Sequence, residues 1–477
     1  MRWTRGWLAS CSRASHVTEV QHFEPRPWGK IGSQFLIDNP RCMLVEDPGL
    51  GKTSQALWAL EMLRLGGSSF FPALVLAPKR VAEVVWDGER NKWDAFQDLS
   101  VIKVLGEREA RLAALRQSVA DIYVVNYDNA PWLVNTFPEA KWPFKTVIAD
   151  ESSKLKSFRL NKGGIRATAL ASIARFTGRW WNLTGTPIPN GLQDLWGQMW
   201  FVDFGERLKR TYSAYLDAYF LEDPYTRDIR TQNGSETTIH EQVTDKMLAL
   251  RSEDWLDLEK PQEIPIEVQI PAAAMAQYRA MERDFFINLP DAEIEAGTAA
   301  VKSSKLLQIA SGSVWDTQTG LKHALHSAKL EALEDIVQQI NYAPLLVMYW
   351  WKFDPERIQR FFPQAKVYAG KEDEEAFNEG KLPIMLLHMQ SAFGLSLHMK
   401  CRDVAFYSYY WNAEMWQQAI ERIGPTRQAQ AGFKRVVRVW TIKTRGTIEQ
   451  DVLDSNTRKI STEQALKRAR ARVRGSE

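Results

Sequence analysis

The chain has 477 residues, 45% hydrophobic and 11% aromatic, enough for about two to four domains with sizeable cores and too apolar for a disordered chain. Its 61 Lys and Arg face 58 Asp and Glu, a net charge of +3, so a polyanionic partner must be met by local patches and not by a globally basic surface. Cys11, Cys42 and Cys401 are too far apart in sequence for a disulfide framework or a zinc spacing, which points to a reducing, cytoplasmic setting without structural metal, and no apolar run approaches the ~18–20 residues of a membrane span.

In chain order, residues 1–20 are basic without a continuous apolar core, so a flexible tail is expected there and not a secretory signal. The apolar runs Cys42–Val45, Ala73–Leu76, Ile122–Val125, Thr146–Ala149 and Trp181–Leu183 alternate with helix-patterned or polar segments. That alternation predicts βαβ units and a mostly parallel sheet, an α/β lobe over residues 21–190. Aromatic and charged helical patterns follow over 191–325, with a polar break near 223–235, and are expected to form helical insertions and an inter-lobe linker. A second alternating series, Leu345–Met348, Ala365–Tyr368, Ile384–Leu387, Val404–Tyr407 and Val436–Thr441, predicts a second α/β lobe over 326–450. Residues 451–477 read as a basic helix or tail in which Ser461 and Gln464 have capping spacing and Lys467, Arg468, Arg470, Arg472 and Arg474 follow. Phosphate affinity and plain solubilisation are both open for that tract.

The stretch Glu46–Thr53, E-D-P-G-L-G-K-T, lies between the run Cys42–Val45 and the helical pattern Ser54–Leu65. A strand, a glycine-rich turn and a Lys-Thr at a helix start make a phosphate cradle: Gly49 and Gly51 let backbone N–H groups close on phosphate oxygens, Lys52 supplies a point charge, and the Thr53 hydroxyl can ligate Mg²⁺. Asp150 and Glu151 end a later strand, in V-I-A-D-E. Triphosphate hydrolysis needs one carboxylate for the hydrated Mg²⁺ and another for the attacking water, and this pair can serve in that order. No second cradle occurs in the later series, so one nucleotide site shared between lobes is expected. His323 and His326 lack a metal-ligating neighbourhood, and the 19 tryptophans are read mostly as core.

On these motifs the chain resembles the Swi/Snf branch of helicase superfamily two, DNA-dependent ATPases that include chromatin remodellers and compact bacteriophage members. The resemblance spans about residues 25–450. D-P-G-L-G-K-T is similar to the family's D-E-x-G-L-G-K-T, where glycine is not required at position 46; Ala77–Trp93, Asn126-Tyr127, L-T-G-T-P from Leu183 and Arg251–Pro261 resemble further first-lobe and linker motifs; Gln390–Leu397 and Trp411–Gln428 resemble the fifth and sixth. The resemblance implies two RecA-like parallel-sheet lobes in tandem with helical insertions between them, and an ATP- and Mg²⁺-dependent motor on duplex DNA, without sequence preference, acting as a monomer in replication, recombination or repair. It implies nucleotide binding by Arg26, Trp28, Pro48, Gly49, Leu50, Gly51, Lys52, Thr53 and Ser54, metal binding by Thr53 and Asp150, and catalysis by Lys52, Asp150, Glu151, Arg422 and Arg427. Thr184, Gly185, Thr186, Gly394 and Gln418 would couple the nucleotide to DNA, and Lys79, Arg80, Asn126 and Ser391 would meet DNA phosphates. Three positions depart from the pattern: Gly29 stands where the adenine-reading Gln is usual, Ser153 where His is frequent, and Pro425 where a second arginine is usual, leaving Arg427 to take that role. A nucleotide-dependent clamp without turnover is the alternative these departures keep open.

Overall fold

The computed structural model describes residues 20–117, 119–160, 163–188, 191–222, 229–287, 298–315, 322–392, 394–457 and 462–474. The expected tail, Ser461 and part of the polar break lie outside the described residues.

Two parallel sheets dominate the chain. The first joins β1 (Arg41–Glu46), β2 (Ala73–Ala77), β3 (Val101–Lys103), β4 (Ile122–Asn126), β5 (Thr146–Asp150), β6 (Arg179–Thr184) and, after the short antiparallel pair β7 (Phe220–Glu222) and β8 (Ile229–Thr231), β9 (Met247–Leu250), in the order β3-β4-β2-β5-β6-β1-β9. The second joins β10 (Gln262–Val268) with, beyond the antiparallel pair β11 (Ser313–Trp315) and β12 (Lys322–Ala324), β13 (Leu345–Tyr349), β14 (Ala365–Val367), β15 (Ile384–His388), β16 (Asp403–Phe406) and β17 (Arg438–Thr444), in the order β10-β17-β16-β13-β15-β14. The inner strands β2, β4, β5 and β13 are buried at every position, as sheets covered by helices on both faces require, which is why they read as continuous apolar runs. Trp180 and Trp181 of β6 are fully buried on opposite faces of that sheet.

The lobes are larger than the sequence patterns indicate. Strand β9 pairs with β1, so the first lobe extends to Leu250; β10 pairs with β17, so the second begins at Gln262. The chain crosses over residues 251–261. Both strands are edges, β9 only four residues long and β10 alternating polar with apolar around Pro265, and neither has the buried run that marks an inner strand. Helix Gln193–Asp203 packs Trp196, Met199, Trp200 and Phe201 into the first core, and Tyr278, Phe286, Leu306 and Leu307 pack into the second. His323 lies on β12 and not on a helix.

The C-terminal tract is likewise part of the second lobe. Helix Thr462–Arg474 buries Ala465, Leu466, Ala469 and Val473, while Arg468 and Arg472 pair with the fully buried Asp451 at 2.8 and 3.0 Å. Arginines spaced four apart therefore hold the helix to its lobe, so of the two expected forms, helix or tail, the tract takes the helix.

Candidate nucleotide site between the lobes

Register brings the motifs together. Val45 pairs with Thr184, Asp150 with Leu183 and Glu46 with Leu250, so the carboxyl ends of β1, β5, β6 and β9 stand level. Ligands of parallel sheets bind at this edge. There a cleft of about 510 Å³ opens between the lobes. From the first lobe it is lined by Arg26, Trp28, Gly29, Pro48 to Gln55, Asp150, Glu151, Gly185 and Thr186; from the second by Gly394, Gln418, Arg422 and Arg427.

The cradle follows from its glycines. Gly49 and Gly51 have φ of 94° and 95°, a region costly for residues with a Cβ, and Gly51 precedes α2 (Lys52–Leu65) directly. A Cβ on Gly49 would also sit 3.1 Å from the Thr426 methyl of the second lobe. The Lys52 ammonium donates to the Glu46 carbonyl at 2.8 Å. Neighbouring segments hold the turn from outside. The Trp28 indole, on α1 (Pro27–Asp38), donates to the Leu50 carbonyl at 2.8 Å; Gln430 donates to the Gly49 carbonyl at 2.7 Å; Gln55 donates to Leu50 O and to the Glu46 carboxylate.

The carboxylates stand opposite. The Trp86 indole donates to Asp150 at 2.8 Å, aimed there by the π-helical stretch Val81–Val85 that leads into helix Trp86–Lys92. Burial raises the Asp150 pKa, offset by the Trp86 bond and by Lys52. Glu151 holds left-handed backbone (φ 58°, ψ 57°), uncommon outside glycine, and burial pushes its carboxyl up to about 7, with Lys52 acting the other way. Glu46 beneath the cradle is also raised to about 7 by burial. From the second lobe, burial lowers Arg422 to about 9 and lowers Arg427 as well; Arg422 donates to Gln418 O and Leu395 O, and Arg427 to the Ser396 hydroxyl. Pro425 opens helix Pro425–Gln430, and this turn brings Arg427 to the cleft wall.

The coupling candidates lie at the lobe contact. Thr184 is buried, its hydroxyl accepting from Thr186 N at 3.1 Å; a Cβ on Gly185 would lie 3.2 Å from Glu46 O, and one on Gly394 3.2 Å from Val85 across the cleft. Ser153 is buried, and its hydroxyl has no hydrogen-bond partner among the described residues. The DNA candidates are outside the cleft. Lys79 is exposed, but Arg80 stacks on Tyr368, donates to its hydroxyl and reaches Ser391 O at 3.5 Å, so it bridges the lobes in this conformation. Asn126 is 6% exposed and its side-chain oxygen accepts from Asn129, so in this conformation the side chain holds the loop after β4. Sequence reasoning gave no role to Asp47, Gln55 or Gln430, and none to the Trp86 indole. Asp47, Gln430 and Trp86 act through contacts remote in sequence, which spacing does not reveal even where the residue lies in a recognised motif, as Asp47 and Trp86 do.

Thr53 and Asp150 offer only oxygen donors beside the phosphate cradle, a set that fits Mg²⁺, which takes few protein ligands and completes its shell from phosphates and water. No cluster of three or more His, Cys, Asp or Glu suited to a metal occurs among the described residues, and none of the helices searched there is long and apolar enough to cross a membrane.

Comparison with known proteins identifies the family of the chain. The SNF2-related domain model matches residues 6–313. Putative protein p41 of Acyrthosiphon pisum secondary endosymbiont phage 1 is 43% identical over 460 residues, 95% of this chain and 100% of that protein. The ISWI chromatin-remodelling complex ATPase ISW1 of Saccharomyces cerevisiae is 22% identical over 89% of this chain, which spans 38% of its length; an uncharacterised ATP-dependent helicase of Mycoplasma pneumoniae is 22% identical over 86%, also with 38% of its length spanned. The solved Sulfolobus solfataricus SWI2/SNF2 ATPase core in complex with dsDNA is similar over 94% of this chain and 97% of that one, at 18% identity and a TM-score of 0.44, too loose to place any residue. With the family model covering well over half the chain and a full-length relative at 43% identity, the chain belongs to the SNF2-related family of ATP-hydrolysing, helicase-like enzymes.

Proposed function

We propose that the protein is a motor that hydrolyses ATP in the inter-lobe cleft and moves on duplex DNA without sequence preference. The observation that carries this reading is the cleft itself, with a phosphate cradle and two acids on one wall and two arginines on the other. The cradle amides and Lys52 bind the β and γ phosphates, Thr53 and Asp150 hold Mg²⁺, and Glu151 orients the attacking water and takes its proton. Mg²⁺ bound there would neutralise charge on the phosphates. Arg422 and Arg427 offset charge developing on the γ phosphate, so the site is complete only with the lobes together.

Thr184, Gly185, Thr186, Gly394 and Gln418 transmit that closure to the DNA track. Lys79 meets a DNA phosphate, and Arg80 and Ser391 become available to DNA when the lobes part. The phage relative fits a role in the host cytoplasm, the process proposed is DNA replication, recombination or repair, and a monomer suffices for one shared site.

Lys52→Ala should lower DNA-stimulated ATP hydrolysis by at least about 10²-fold. Wild-type rates in that variant would refute the site. Movement without general unwinding should appear as triplex displacement while a blunt duplex stays paired.

A further inference from the structure

The segment that joins the lobes begins on the phosphate cradle. Beyond β9, the 3-10 turn Ser252–Asp254 starts the crossing, and a single Asp47 carboxylate oxygen accepts both the Ser252 backbone N–H (2.8 Å) and the Ser252 hydroxyl (2.9 Å). The Asp47 backbone N–H in turn donates to Leu250 O at 3.3 Å. A second fastening is independent of the first: the Trp255 ring lies 6.2 Å from that of Trp28, whose indole donates to Leu50 O. Asp47, Gly49 and Leu50 are thus gripped by the linker, by the second lobe through Gln430 and by α1.

We infer that the Asp47–Ser252 contact is a coupling joint: closure of the cradle on a triphosphate turns the linker's first turn through Asp47, and DNA-driven lobe movement returns to the cradle by the same bonds. Asp47 and Ser252 are positioning residues, neither touching the reacting atoms. The reasoning is mechanical and thermodynamic. Two hydrogen bonds to one carboxylate, one of them from the backbone, leave the turn little freedom to move apart from the cradle. If nucleotide shifts the linker, linker position must shift nucleotide affinity by the same factor. This inference rests on the proposed motor reading for its DNA arm only.

Ser252→Pro removes both donors. Proline suits this first position of the turn, since Arg251 before it is extended at ψ 140°. The wild type should show slower amide hydrogen exchange at residues 253–256 on adding a nonhydrolysable ATP analogue, and Ser252→Pro should abolish that response. Basal kcat and KM for ATP should stay within about twofold of wild type while DNA stimulation falls by roughly fivefold or more, the usual lower bound of inter-site coupling. Asp47→Ala should reproduce the loss, and Asp47→Asn, which keeps an acceptor oxygen, should restore most of it. An unchanged nucleotide response of the linker amides in both Ser252→Pro and Asp47→Ala overturns the inference. The exchange measurement needs no DNA, so a wild type whose ATPase ignores DNA would refute the motor reading and leave the joint tested.

Discussion

The two lobes share an architecture but treat their buried charges in opposite ways. In the second lobe three interior acids are matched internally: Asp403 pairs with Arg438 at 2.7 Å, Glu449 with Lys329 at 2.5 Å, and Asp451 with Arg468 and Arg472. In the first, Glu46, Asp150 and Glu151 cluster at the sheet edge, and among the described residues no ion pair within 4.0 Å closes on them. The unmatched cations are across the cleft, where Arg422 and Arg427 donate only to neutral oxygens. Removing charge from water without a partner is costly, so such groups persist where something else completes them. Of these groups, Asp150 and Glu151 line one wall of the cavity and Arg422 and Arg427 the other. A polyphosphate with its dication would satisfy both, and the paired acids of the second lobe mark positions that serve the fold.

Breaking each kind of charge should therefore give opposite signatures. Arg422→Ala should lower ATP turnover by about 10³-fold or more, the range for arginines that stabilise a transferring phosphoryl group. Glu151→Gln should cost about 10² to 10⁴ in kcat while thermal unfolding is unchanged or raised, since an unmatched ionisable group has gone. Arg438→Ala should do the reverse. It leaves the fully buried Asp403 with the Trp440 indole and only a distant cation, Arg402 at 4.0 Å, so the second lobe should lose about 3 kcal/mol of stability, with turnover per folded molecule nearly intact at low temperature. Calorimetry beside steady-state ATPase assays decides it. A stable, inactive Arg438→Ala would erase the distinction.

Asp354 and Glu421 are buried second-lobe acids without an ion pair among the described residues. Asp354 is fully buried, accepts from the Ser408 hydroxyl and Trp351 N, and burial pushes it up to about 7, with Arg357 and Lys329 opposing. Between its usual value and about 7 the folded state keeps a proton that the unfolded state has lost, so stability falls as pH rises through that window. Asp354→Asn should remove this slope, a change on the order of 2 kcal/mol between about pH 5 and 7, given about 1.4 kcal/mol per pKa unit. An unaltered pH dependence of unfolding would show that Asp354 ionises freely.

Much of this contrast was legible beforehand because motif spacing and strand patterning are local properties. Glu46 to Thr53 reads as a cradle from chain order alone, and the buried inner strands announce a parallel sheet. Edge strands β9 and β10 escaped because half-exposed residues leave no apolar run. The arginines of helix Thr462–Arg474 could not be placed because a basic stretch looks the same whether it faces water or a buried Asp451. Asn126 and Arg80 show the same limit in the other direction: burial and inter-lobe contact decide what a polar side chain meets, and neither is encoded in spacing.

The comparison is sharpened most finely at the start of α1 in the first lobe, where Arg26, Trp28 and Gly29 line the cleft and the resemblance expects the adenine to be read. A group acting only there should change how tightly ATP binds and leave untouched the step that needs both lobes. Gly29 tests this, because a Cβ at that position would lie 3.6 Å from Gln55 Cγ, ordinary van der Waals contact, on a helix whose backbone accepts any L residue. Gly29→Gln would supply an amide able to pair with the adenine edge, worth about 0.5–1.5 kcal/mol net for one hydrogen bond. KM for ATP should fall by about threefold with kcat unchanged, the signature of binding that is uniform between ground and transition states. GTP, with its different edge, should gain nothing. Equal gains for both nucleotides would mean the new side chain acts through packing, and a fall in kcat would mean that the start of α1 also reports on lobe closure.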